Sequence, residues 1–210
     1  MNIPIYTSIA DAGFSDLKEI GRGSERAVYI SRQCDDKVLK LSRYSDRNEQ
    51  IIREINFYKY LIKHKIPMTH LPQLYGIVNT PHQLGIIQEY VNSEEKIKPD
   101  EKSFGELKAV YDLPQLIKQP TMIQKRLDEA LYSFLNYLLT YNIVINDLQP
   151  YNLRIKIFEN AYKVCLIDGF GSQLWIPIDL MFKKLGCKHI LHQWDKFKMF
   201  LPQPPSFSID

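Results

Sequence analysis

Lys40 stands inside the apolar run Val38-Leu39-Lys40-Leu41. A lysine on an apolar strand must either snorkel to solvent or meet a carboxylate, and Glu54 in the segment that follows is one candidate partner. An ammonium held that way suits the α- and β-phosphates of a nucleotide; the plain alternative is an exposed strand lysine. Downstream, Ile145-Asn146-Asp147-Leu148-Gln149-Pro150-Tyr151-Asn152 sets an aspartate and an asparagine five residues apart across a proline-containing turn. The carboxylate of Asp147 can accept or orient a hydroxyl proton, and the amide oxygen of Asn152 can ligate a divalent cation. Asp and Asn are also common turn residues. Asp168 closes the apolar run Leu166-Ile167 and precedes Gly169-Phe170-Gly171, an arrangement that fits Mg²⁺ held against phosphates and equally an ordinary strand-end turn. Ahead of all three lies Ile20-Gly21-Arg22-Gly23-Ser24-Glu25-Arg26-Ala27-Val28-Tyr29. Backbone lacking Cβ at Gly21 and Gly23 can approach a triphosphate closely and offer its N–H groups, although the same spacing makes a simple hairpin turn.

These groups need a scaffold. Strands are predicted at Leu17–Gly21, Arg26–Ser31 and Lys37–Leu41, between turn-forming residues. A helix is predicted from Ser45-Asp46, with Ile51, Ile52, Ile55, Tyr58 and Leu61 at helical spacing and Pro67 and Pro72 beyond it. Two more strands, Leu74–Val78 and Gln83–Val91, complete a lobe of five strands and one helix over residues 1–91. The charged stretch Asn92–Lys102 reads as a linker or exposed loop. Residues 92–210 form a second lobe, expected to be mainly helical. Its strongest helix is Thr121–Tyr141, with Ile123, Leu127, Leu131, Phe134, Leu135 and Leu138 on one face. Short apolar runs follow at Ile143–Ile145, Leu153–Ile157 and Lys163–Ile167, then a helix near Ile178–Leu185.

With 210 residues, 45% hydrophobic and 24% charged, the composition excludes collagen-like, disulfide-scaffold and wholly disordered classes. The formal charge of +3 is too small to argue for nucleic-acid binding. No apolar run approaches the roughly 18 residues of a membrane span. Met1–Phe14 lacks the basic start and apolar core of a secretion signal, so a cytoplasmic location is expected. Cys34, Cys165 and Cys187 form no close pair, which points to a reducing compartment; Cys165, inside Val164-Cys165-Leu166-Ile167, is expected to be a small buried side chain. His189 and His192 are read as structural, with no third ligand nearby.

Taken in order, the glycine pair, the strand lysine, the helix glutamate, the Asp147–Asn152 turn and Asp168 resemble the protein-kinase superfamily over roughly residues 15–175. The chain is also similar to the YrbL family of kinase-like proteins, the PhoP regulatory network proteins, through IGRGSERAVY, VLKL, Arg53–Tyr58, NDLQPYN and LIDGFG. The resemblance implies an α+β, bilobal kinase-like fold with a five-stranded antiparallel first lobe and a reduced second lobe. It implies ATP and Mg²⁺ as cofactors, with Gly21 and Gly23 over the phosphates, Val28 against adenine and the backbone of Gln88-Glu89-Tyr90 holding the ring. It further implies Lys40 paired with Glu54, Asp147 as the catalytic aspartate, and Asn152 and Asp168 as metal ligands.

The chain departs from the kinase pattern at several positions. Arg26 stands where a third glycine is usual, placing stiffness or a guanidinium near the phosphates. Ile145-Asn146 replaces His-Arg, so no arginine is there to meet a phosphorylated loop. Gln149 replaces the lysine that would neutralise the transferring group, and Asp-Gly-Phe replaces Asp-Phe-Gly. Only 39 residues follow Gly171, without Ala-Pro-Glu, which favours a small-molecule, sugar or lipid-linked acceptor over a folded protein. The alternative is a pseudokinase that binds nucleotide or a protein partner. Asp179–Phe200 carries five lysines against two aspartates, with Trp175 just ahead of it and Phe182, Trp194, Phe197 and Phe200 interleaved. It reads as a helix with a solvated basic face, or as a contact for an anionic surface.

Overall fold

β-Branched and aromatic residues between turn formers build the first half of the chain as strands. A computed structural model describes residues 3–45, 48–91, 107–116, 121–159, 161–171 and 181–201. The expectations for Asp46, the Asn92–Lys102 linker, Trp175 and Ile178 fall outside these residues, as does the side chain of Ile123. The chain divides into two compact units, Met1–Met68 with Pro72–Tyr90, and Thr69–Leu71 with Val91–Asp210.

The first unit is a sheet of β1 (Ile5–Tyr6), β2 (Lys18–Arg22), β3 (Arg26–Ser31), β4 (Cys34–Ser42), β5 (Leu74–Asn79) and β6 (Leu84–Glu89), in the order β1-β5-β6-β4-β3-β2. It has six strands rather than five, and β1 pairs parallel to β5, so the sheet is not wholly antiparallel. A two-residue strand carries too little periodicity to be read from sequence. It is fixed by contact: a Cβ at Gly76 would lie 2.6 Å from the Tyr6 ring, so only glycine leaves room for that ring. Register sets Val28 opposite Lys40, and Lys40 opposite Ile86. Leu39 and Leu41 pack with Phe14, Val78 and Ile87, which turns Lys40 to the other face by the two-residue alternation of a strand. There α1 (Glu49–Lys63) presents a buried stripe of Ile51, Glu54, Ile55, Tyr58 and Leu61. Ile52, expected on that stripe, is exposed instead.

Among its described residues the second unit has more helix than strand, as expected. It contains an antiparallel sheet of β7 (Leu107–Asp112), β8 (Leu153–Phe158) and β9 (Tyr162–Leu166), in that order. The short helix α2 (Leu113–Leu116) follows β7. Helix α3 (Thr121–Tyr141) buries Leu127, Leu131, Phe134, Leu135 and Leu138, the expected stripe, and packs against β9. Cys165 is buried on β9, as expected. Ile143–Ile145 forms no strand, only a single bridge from Ile145 to Phe170. Of the helix expected near Ile178–Leu185, residues 178–180 lie outside the described ones and Met181 is helical; the last described helix, α4 (Lys183–Lys198), includes Lys183–Leu185 and runs on to Lys198. Its inward stripe is Gly186, Ile190, Trp194 and Phe197, whose three- and four-residue spacing carries the helix past Leu185.

Candidate functional site

In the first unit the buried group is Glu54. Its position within the apolar stripe of α1 forces it against the sheet, where it is 4% exposed and must be paired. Lys40 Nζ donates to Glu54 Oε1 at 2.9 Å, and Gln88 Nε2 donates to the same oxygen at 2.7 Å. Arg26 Nη1 donates to Oε2 at 2.5 Å. Gln88 also donates to Tyr58 Oη at 2.9 Å, and Tyr58 Oη donates to Pro72 O. Lys40 is therefore a buried, paired strand lysine and not a solvated one.

The glycine turn is closed. Gly23 N–H donates to Arg26 O at 2.8 Å, and Arg43 Nη1 donates to Gly23 O at 2.9 Å. The N–H of Gly23 thus completes the hairpin, while Gly21 lies in β2 opposite Val28, which is half-buried. At the far end of β6, Glu89 N–H donates to Gln73 O and Tyr90 N–H to Asp36 O, both at 2.9 Å.

In the second unit, backbone bonds draw two turns together. Asn146 N–H and Asp147 N–H both donate to Gly169 O, at 2.8 and 3.3 Å, and Gly171 N–H donates to Val144 O at 3.0 Å. Asn146 Nδ2 donates to Gly171 O. Gly169 adopts φ +83°, and a Cβ there would sit 2.5 Å from Asp147 O, so the Asp-Gly order is demanded by both backbone conformation and space. Asn152 Nδ2 donates to Asp147 O at 3.0 Å and to Asp147 Oδ2 at 3.2 Å. Ile167 N–H donates to Asn152 O at 2.9 Å, which sets Asp168 beside the same turn. Asp168 Oδ1 accepts from Gly169 N–H at 2.6 Å. The structure thus gathers Asp147, Asn152 and Asp168 in this unit, and Lys40 and Glu54, with Val28 on the adjacent strand, in the other.

Two participants, Gln88 and Tyr151, were not singled out from sequence as side chains, and a third, Arg26, has a different role from the one expected. Gln88 appeared only as part of a backbone segment, yet its side chain orients Glu54. Arg26 appeared as a missing glycine, yet it is an ion-pair partner. Tyr151 lies between Asp147 and Asn152, and its hydroxyl donates to Asp147 Oδ2 at 3.3 Å while the ring is 61% exposed. Its phenol is raised above the ordinary tyrosine value, first by desolvation of the hydroxyl and then by the Asp147 charge and hydrogen bond, with Asp168 adding to both. The available signal was the four-residue offset from Asp147 to Tyr151.

Among known proteins, the model of the family described as PhoP regulatory network protein YrbL matches residues 13–201. The serine/threonine-protein kinase STE7 homologs of Candida albicans strains WO-1 and SC5314 / ATCC MYA-2876 are each 27% identical over 157 residues, 71% of this chain. The match spans 24% of those relatives' own length. No helix among the described residues is long and apolar enough to cross a membrane.

Proposed function

The chain belongs to the PhoP regulatory network protein YrbL family, and from that premise we propose that it is a phosphotransferase. In this reading it moves the γ-phosphoryl group of ATP, with Mg²⁺, to a hydroxyl of a small molecule, a sugar or a lipid-linked sugar. The observation that carries the reading is the Asp147 carboxylate, held by Asn152 and Tyr151 within a turn that also sets Asp168. As the acceptor oxygen bonds to the γ-phosphorus and the bond to the ADP oxygen breaks, the acceptor proton passes to Asp147. The similarity to curated serine/threonine-protein kinases supports the reaction class, and the buried Lys40–Glu54 pair supplies a fixed ammonium for phosphate.

The donor chemistry fits Mg²⁺. Asn152 spends its Nδ2 on Asp147, which turns the amide oxygen the other way, and Asp168 is a carboxylate; both are hard oxygen donors. The metal would supply charge neutralisation at the phosphates. The exposed Tyr151 ring offers an apolar face beside Asp147, which supports a sugar-like acceptor that lies flat against it.

Phosphoryl transfer from Mg·ATP to a panel of sugars and alcohols tests the proposal. Asp147→Asn lowers turnover at least about a hundredfold, the ordinary share of a general base. Unchanged turnover in that variant removes the assignment. A second reading, a nucleotide-binding regulatory module without catalysis, is favoured by Gln149 at the place of a neutralising lysine and by the closed Gly23 N–H. Any turnover that depends on Asp147 excludes it.

A further inference from the structure

We propose that the outward face of α4 docks onto an anionic lipid bilayer. The charge distribution singles out this helix: residues 181–201 hold Lys183, Lys184, Lys188, Lys196 and Lys198 against Asp195. Five lysines and one aspartate give the segment +4, whereas the chain as a whole carries +3, so everything else sums to −1. Lys183 and Lys184 occupy the first turn of the helix, which itself holds no acidic residue, against the preference of the helix dipole. That placement costs helix stability and concentrates positive potential on one side of the unit.

Apolar groups share the face. Leu185, Lys188, His192, Lys196 and Met199 recur at three- and four-residue spacing, and all five are exposed. Met181, Phe182, Leu185, Met199 and Phe200 are between 45% and 77% exposed. The opposite stripe is buried in its own unit, and Cys187 and Lys183 reach the Leu139 and Thr140 carbonyls of α3, so α4 is anchored with this face turned out. Along its flank runs an open groove of about 740 Å³ between Lys183, Lys184, Lys188 and His192, floored by Cys187 and Leu191 and closed by Asp195. Lysine heads around an apolar floor, with methionine, leucine and phenylalanine at both ends, match phosphate headgroups above acyl chains. A nucleic acid or an acidic polysaccharide would use the lysines but gain nothing from the exposed Met181, Leu185 and Met199.

The full chain, at low and at high salt, is sedimented with vesicles of phosphatidylcholine containing phosphatidylglycerol and with vesicles of phosphatidylcholine alone. Binding is expected only to the anionic vesicles, and weaker at high salt. The triple variant Lys184→Gln, Lys188→Gln, Lys196→Gln should bind about a hundredfold more weakly, from roughly fivefold per lysine. Lys18→Gln, Lys59→Gln, Lys63→Gln removes the same charge from the first unit and should bind like wild type. Leu185→Ser with Met199→Ser should weaken anionic binding while leaving the salt dependence in place. The proposal is overturned if wild type ignores anionic vesicles at low salt. Equal losses in the two lysine variants, an apolar variant that binds like wild type, or binding to RNA as tight as to the vesicles also overturn it.

Discussion

Replacing Glu54 with glutamine keeps the size of the side chain and removes its charge. The structure fixes what that costs: one carboxylate, 4% exposed, accepts from Lys40, Gln88 and Arg26 at 2.5 to 2.9 Å. In Glu54→Gln one oxygen becomes an NH₂ that cannot accept from either cation, so a largely buried guanidinium or ammonium loses its contact with a buried carboxylate. Breaking a buried ion pair from one side costs about 3–5 kcal/mol. At about 2–4 °C per kcal/mol for a chain of this size, Tm should fall by roughly 6–20 °C. Arg26→Ala should cost less, about 1.5–3 kcal/mol, because Glu54 keeps Lys40 and Gln88. The two lesions share one interaction, so the double variant should be less destabilised than the sum of the singles by more than about 0.5 kcal/mol. Urea and thermal unfolding followed by circular dichroism measure all three. A Glu54→Gln protein within about 1 kcal/mol of wild type, or strict additivity in the double variant, would refute the reasoning that Glu54 is a shared, desolvated anion.

Gly169→Ala forces a Cβ to within 2.5 Å of Asp147 O at a φ of +83°; about 1–3 kcal/mol of strain and a roughly hundredfold loss of Asp147-dependent turnover from misplacement are expected in unfolding and transfer assays. The Tyr151 phenol is raised first by desolvation of its hydroxyl and then by Asp147, although the ring is exposed. The tyrosinate absorbance lost in Tyr151→Phe should therefore appear at higher pH than that of an ordinary phenol, and Asp147→Asn should bring it down; stability should change by less than about 0.5 kcal/mol in Tyr151→Phe. Trp194 is buried against Phe197 with ring centroids 5.2 Å apart, so Trp194→Ala should cost about 3–5 kcal/mol in urea unfolding.

What could be read from the sequence follows a physical rule. A charged residue inside an apolar run must reach solvent or a partner, so Lys40 left two readings open, and burial against Glu54 on the next helix decides between them. Asp147, Asn152 and Asp168 were legible from turn chemistry, because Asp and Asn next to Pro and Gly between apolar runs mark strand-end turns. The partners of these groups were not legible. That Arg26 meets Glu54, or that Gln88 turns its amide onto it, depends on strand register and on the depth at which α1 packs, neither of which leaves a local pattern. The strand β1 is two residues long and exists through Tyr6 seated over Gly76. The extent of α4 beyond Leu185 was not legible, because its buried stripe begins only at Gly186 and is diluted by lysines and histidines.

The central claim is that Asp168 helps hold a magnesium nucleotide. Thermal unfolding of wild type, Asp147→Asn and Asp168→Asn with and without Mg·ATP tests it most directly. Ligand at about 100 times its Kd adds about 2.7 kcal/mol, a Tm rise of roughly 5–10 °C. The account predicts that rise in wild type and Asp147→Asn, only with magnesium present, and its loss in Asp168→Asn. No rise in wild type, or a rise of equal size in Asp168→Asn, would contradict it.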